Sequence, residues 1–354
     1  MAQSKGTKRA PQRLSGWRAV IDEYIRQVNQ AEIEHDGTPL AQALTDAGHL
    51  ERASRRLVRT GQREKQRLAA SVKHETKGRL LRASEAGNEA AVLLCCEHER
   101  TLNQQGSVYV EQRRDYERVW VQNQGGRWQI VRIEPVIAER RPKYGSTLHS
   151  PLQDDRLYEQ ALEERGPGVP YLNVDIFRNF TPRPKQAIYH RDMAVAYADK
   201  WWKEANPEYE EFEVNCTNYI SQCLFAGRAP MDYTGRRETG WWYKGRDNGK
   251  EWWSYSWAVS NALYSFLSGK RASGLRAETV AAPEQLRLGD VIVYDWNGDG
   301  RFQHSTIVTA FDVDGMPLVN ANTVASRHRY WDYRDSYAWT EQTQYRFFHI
   351  ADQL

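Results

Sequence analysis

Cysteine is scarce in this chain of 354 residues: only Cys95, Cys96, Cys216 and Cys223 occur. Two of them are adjacent, and no CxxC or His/Cys metal spacing accompanies them, so neither a disulfide framework nor a zinc site is expected. Long apolar runs are missing as well. The longest, "AAVLLCC" at 90–96, is too short to span a bilayer. No apolar core follows the basic N-terminus, so no secretory signal is read there. Free thiols in a cytoplasmic protein are the expectation, with release to the cell wall as the route to any wall substrate. A dominant charge is also absent. Lys and Arg total 49 against 46 Asp and Glu, a net +3, which is too mild to imply a nucleic-acid partner. The five cations of the first twenty residues, Lys5, Lys8, Arg9, Arg13 and Arg18, read as a solvated terminus, with a flexible arm over 1–13, rather than a nucleic-acid or membrane-surface arm. No internal repeat is present.

Aromatic residues, in contrast, are plentiful. Thirteen Trp and 19 Tyr argue for buried cores, because such side chains dominate buried area. The length suggests two domains. Residues 14–100 read as helical: "LSGWRAVIDEYIRQVNQAEI" sets apolar residues at helical spacing, and "KHETKGRLLRASEAGNEAAVLL" continues as a charged and then a buried helix. From 107, "SVYVEQRRDYERVWVQ" and "RWQIVRIEPVIAE" read as strands joined by "NQGG" at 123–126. Helices followed by this hairpin resemble the cone-shaped α+β fold of nuclear-transport-factor-like domains. Cys95, Cys96 and His98 read as a buried pair at a helix–strand junction rather than a metal site. The Pro- and Gly-rich stretch 141–187 is the natural linker. A second domain over 188–354 then opens on a helix in "YHRDMAVAYADKWWKEAN".

The chemistry is concentrated in that second domain. In "EVNCTNYISQCLFAG" (213–227), Cys216 stands at the start of an amphipathic helix, with Asn215 as its expected N-cap. A thiol in the first turn feels the helix dipole, which favours thiolate, and the backbone N–H groups there suit an oxyanion. Cys223 lies two turns deeper and reads as core. Farther on, "GDVIVYDW", "QHSTIVTAF" and "MPLVNANT" read as three strands. His304 opens the second, and Asn320 and Asn322 share one side of the third. A base at His304, oriented by one of these asparagines, would complete a Cys–His–Asn arrangement.

"NCTNYISQCLFAG", "SWAVSNALYSFL", "LGDVIVYDWNGDGRFQHSTIVT" and "NANT" together resemble the putative amidase domain family of Gram-positive bacteria, over about residues 188–350. That family belongs to the papain-like superfamily with the NlpC-type and CHAP-type cell-wall enzymes. The resemblance implies an α+β papain-like domain, Cys216 as nucleophile, His304 as base and Asn322 as third member. It further implies hydrolysis of a peptide or peptidoglycan amide through a thioester, with no cofactor. Two positions depart from the family pattern. Asn215 stands where Asp is usual before the cysteine, and Asn322 where histidine is often found.

Other features carry weaker readings. Tyr209 could add an oxyanion donor, although core packing explains it. Trp241, Trp242 and Trp252, in an aromatic run at 241–257, could form a sugar or peptide platform. "DWNGDG" (295–300) begins like a calcium loop with Asp295, Asn297 and Asp299, but position twelve is Thr306, and a hairpin turn explains the same letters. Two rivals to an amidase remain at this point: a catalytically inactive papain-like module that binds glycan or peptide in an aromatic cleft, and a calcium-dependent adaptor.

Overall fold

The computed structural model describes residues 15–140, 187–247 and 250–354. The expected basic arm and almost all of the expected linker lie outside them. The chain is α+β, with helices packed on an antiparallel sheet.

The N-terminal half begins with α1 (Trp17–Glu34), whose Trp17, Ile21, Tyr24 and Ala31 recur on one buried stripe. α2 (Ala47–Gln66) starts at Asp46, which accepts the His49 N–H with Oδ1 at 2.9 Å and the Ile133 N–H with Oδ2 at 2.9 Å. One carboxylate thus caps the helix and ties it to the sheet. Four strands follow: β1 (Ala69–Ala86), β2 (Glu89–Gln104), β3 (Ser107–Gln124) and β4 (Arg127–Pro135). The expected 123–126 turn is present, with Gly125 and Gly126 at φ 61° and 87°, as a tight hairpin between twisted strands requires.

The helix expected over 73–94 is instead the β1–β2 hairpin, which turns at Gly87 (φ 58°). Its charged residues lie on an edge strand, where charge blocks unwanted pairing. Gly78 lets α1 cross close over β1, since a Cβ there would meet Ile25 Cδ1 at 2.0 Å. Cys95 and Cys96 therefore sit inside a strand, not at a helix–strand junction.

The C-terminal half runs α3 (Arg191–Trp201), α4 (Cys216–Ala226), β5 (Tyr243–Asp247), β6 (Lys250–Trp253), α5 (Tyr255–Ala258), α6 (Ser260–Ser268) and then β7 (Ala277–Val280). β8 (Val291–Asp295), β9 (His304–Phe311), β10 (Pro317–Ala321), β11 (Ser326–Tyr330) and β12 (Gln344–Ile350) complete it. All three strands expected between 289 and 323 form. One sheet, ordered β1-β2-β3-β11-β10-β9-β8-β12-β7 with β4 also on β3, runs through both halves. The join is the β3–β11 pairing, Ser326↔Arg113 and Arg327↔Gln112.

The two faces of the C-terminal sheet carry separate cores. Helices α3, α4 and α6 cover Val291, Val293 and Ile307. The opposite face buries Ile292, Tyr294, Trp296, Val308 and Tyr333, with Ile137 from the N-terminal half packed on it. Between the halves lies a buried ionic cluster. Arg113 donates to Glu32 at 2.6 Å, Arg56 and Arg63 pair with Glu32 and Asp332, and Asp335 receives Arg329 at 3.0 Å. Among the described residues, no helix is long and apolar enough to cross a membrane.

Candidate functional site

Cys216 is the first residue of α4 and is 1% exposed. Its surroundings are hydroxylic. Thr217 Oγ1 lies 3.8 Å from Sγ and 3.3 Å from Ser305 Oγ, which in turn lies 2.8 Å from Ser260 Oγ. Burial pushes the thiol pKa up, opposed by hydrogen bonds from the Ser305 backbone N–H and the Thr217 and Thr323 hydroxyls. The thiol is therefore held neutral at neutral pH.

Asn215 does not cap the helix. It is in the αR region at φ −102°, ψ −2°, which turns its side chain away from the first-turn N–H groups. Its Oδ1 instead accepts from Phe212 N at 3.2 Å and Asn218 Nδ2 at 2.8 Å. Its Nδ2 donates to Asn322 Oδ1 at 2.7 Å, and its backbone N–H donates to Thr323 Oγ1 at 2.7 Å. Asn322 completes its bonding by donating to the Trp201 and Trp202 carbonyls at 3.0 and 3.2 Å. Asn320 accepts from Thr309 Oγ1 and His328 N–H and donates to Asp199. Neither asparagine hydrogen-bonds to the His304 ring, whose two nitrogens have no hydrogen-bond partner among the described residues.

The structure does not bring His304 to Cys216. Successive strand residues point to opposite faces. Ser305, paired with Val293, faces α4, whereas His304, paired with Tyr294, faces away. The His304 ring packs 5.4, 5.8 and 5.3 Å from the rings of Tyr294, Trp296 and Tyr333. It is fully buried. Burial, with Arg329 adding to it, lowers its pKa to about 3, so it is a neutral imidazole within an aromatic cluster.

The remaining sequence candidates are also placed by packing. Trp241 and Trp242 are fully buried and present no face to a ligand. Trp241 donates to Ser221 Oγ at 3.0 Å and Trp242 to the Thr239 carbonyl at 3.0 Å. Trp252 is half-buried, with the Arg237 guanidinium 5.2 Å above it. Tyr209 packs against Tyr243 and Trp257 at 5.1 and 6.2 Å. In the 295–300 turn, Asp295 is committed to the backbone N–H groups of Asn297, Gly298 and Gly300 at 3.1, 2.9 and 2.7 Å, and Asp299 accepts from Arg301 N–H. This carboxylate holds the turn, which accounts for the Asp, Asn and Gly of the stretch without an ion. Among the described residues, no group of three or more His, Cys, Asp or Glu is gathered as a metal cage.

Ser260, Ser305 and Thr323 are the residues around the thiol that sequence reasoning missed. Strand period alone could have indicated Ser305, once the helix-facing side of β9 was known.

Residues 188–348 match the sequence profile of a family described as "Putative amidase domain". Two curated relatives come from Bacillus subtilis (strain 168). One, "Uncharacterized protein YhbB", is 53% identical over 164 residues, which cover 46% of this chain and 51% of that protein. The other, "Uncharacterized protein YjcM", is 30% identical over 133 residues, covering 34% of this chain and 28% of that protein. The chain thus spans about half or less of the length of these relatives. Among solved structures, the "Crystal structure of intermembrane space region of chloroplast protein ARC6" aligns with 35% of this chain and 98% of that one, at 15% identity and a TM-score of 0.26, too low to bear on the fold. Amide hydrolysis is the chemistry that the family description names, and residues 188–348, a little under half of the chain, are what is similar to it.

Proposed function

We propose that residues 188–354 form a papain-like domain that recognises a peptide or cell-wall-type amide and, in the arrangement described, does not cut it. The observation that carries this reading is the separation of Cys216 and His304 onto opposite faces of β9. The two departures from the family pattern support it. Where Asp and His would supply charge and a proton acceptor, Asn215 and Asn322 hydrogen-bond to each other at 2.7 Å. An asparagine pair moves no proton, and a neutral buried thiol without a base is a poor nucleophile. The N-terminal half, two helices on four antiparallel strands, is read as an adaptor of the nuclear-transport-factor-like type.

Cosedimentation with purified peptidoglycan, together with mass spectrometry of released fragments, tests the proposal. Wild type and Cys216→Ala should bind alike and release the same background. Fragments released by wild type alone would overturn it and establish the second reading, acyl transfer by Cys216. That second reading has one observation in its favour: Sγ sits at a helix start and already accepts a backbone N–H from Ser305.

A further inference from the structure

We infer that Arg114, supplied by the N-terminal half, is a positioning residue for the turn that covers the Cys216 thiol. It ties together the two chain segments that flank Asn322 and Thr323. Its backbone N–H donates to the Ala325 carbonyl at 2.8 Å, extending the β3–β11 pairing. Its guanidinium reaches the other segment, where Nη1 donates to the Lys203 carbonyl at 3.0 Å. Nε and Nη2 hold Glu97 Oε1 at 2.9 and 2.8 Å, and Lys203 Nζ meets the other oxygen of Glu97 at 3.3 Å. One residue therefore fastens the chain just after Thr323 and the chain just after Trp202.

Between those two fastenings lie the contacts that cover the thiol. Asn322 spans from Asn215 to the Trp201 and Trp202 carbonyls. Thr323 accepts the Asn215 N–H and hydrogen-bonds to the Cys216 thiol. The next residue, Val324, has φ 48°. A β-branched side chain in the left-handed region is strained, and such a turn persists only where its surroundings over-determine it. Arg114 supplies that hold from outside the C-terminal half, so the N-terminal half controls whether the 322–325 turn stays closed over the thiol. This holds whether the domain binds or cuts an amide, because its readout is thiol accessibility and not amide binding. A failure of peptidoglycan binding would leave the labelling result standing.

Site-resolved iodoacetamide labelling of the full chain tests the inference. Arg114→Ala should raise the Cys216 rate about tenfold, as expected when charge-assisted bonds that hold a local closure are lost. Cys223, two turns deeper in the same helix, should keep its wild-type rate. Arg114→Lys retains a cation beside Glu97 without the fork and should give an intermediate rate. An unchanged Cys216 rate would overturn the inference. So would a joint rise of Cys216 and Cys223, which would make Arg114 a general stabiliser. If Arg114→Ala does not fold, Glu97→Gln weakens the same guanidinium and leaves the main-chain pairing intact. A selective Cys216 rise in that variant supports the inference, and its absence overturns it.

Discussion

Replacing Asp335 by Asn or Ala should destabilise the protein by about 3–5 kcal/mol, the range found when one partner is removed from a buried ionic cluster. Asp335 is 2% exposed. It receives Arg329 Nε at 3.0 Å and Arg113 Nη1 at 3.4 Å, and Arg63 Nη2 lies 3.9 Å away. Burial alone would raise its pKa. Arg329, Arg63 and Arg113 together outweigh burial and hold the carboxyl well below the usual carboxylate range. Without it, three guanidiniums share a site from which water is excluded; Glu32 and Asp332 are already engaged by Arg56, Arg113 and Arg63, and Glu139 stays beside Arg329 at 3.6 Å. Arg63 and Arg113 come from the N-terminal half and Asp335 from the C-terminal half. The loss should therefore appear as one cooperative urea transition at lower midpoint, with hydrogen-exchange protection reduced in both β2 and β9. A loss below about 1 kcal/mol would place this cluster with exposed ion pairs, which contribute that little. Loss of protection in one half alone would show that the shared sheet does not couple them.

That coupling marks the limit of what the residues reveal in one dimension. The Gly125–Gly126 turn and the strands from 289 to 323 were legible because hairpin glycines and β-branched runs act locally. The β3–β11 join was not legible, since it rests on residues 112–113 meeting 326–327, with nothing local to announce the pairing. The hairpin at 69–104 was misread because its edge strand is charged at intervals that also suit a helix. Only Gly78, passing close under α1, hinted at a backbone approach. At the site, the Cys216 helix start was readable. The facing of β9 was not, because a one-residue difference exchanges His304 for Ser305 on the helix side. The tryptophans of 241–257 show the same limit, since composition cannot separate a platform from a core.

His304→Phe should remove much of the acid sensitivity of the fold. Burial and then Arg329 lower the His304 pKa from 6.5 to about 3. The unfolded chain therefore binds a proton that the native state refuses. The neutral imidazole's contribution is fully present above pH 6.5 and falls away as pH drops from 6.5 toward 3. Between pH 7.5 and 4.5, wild type should lose about 2–3 kcal/mol relative to the variant. At pH 7.5 the variant should be no less stable, because both ring nitrogens of His304 lack partners among the described residues and unpaired buried polar atoms cost stability. His98, lowered to about 3, and His49 and His74, lowered to about 4, act in both proteins and cancel in the difference. Glu139, raised to about 7 chiefly by burial, has the opposite sign, destabilising as pH rises from 4.5 to 7, and cancels likewise. Urea unfolding of the two proteins across this range decides the matter. Parallel curves would mean that His304 titrates as an ordinary histidine in the native state. A base serving Cys216 would need that property, and the aromatic burial of His304 denies it.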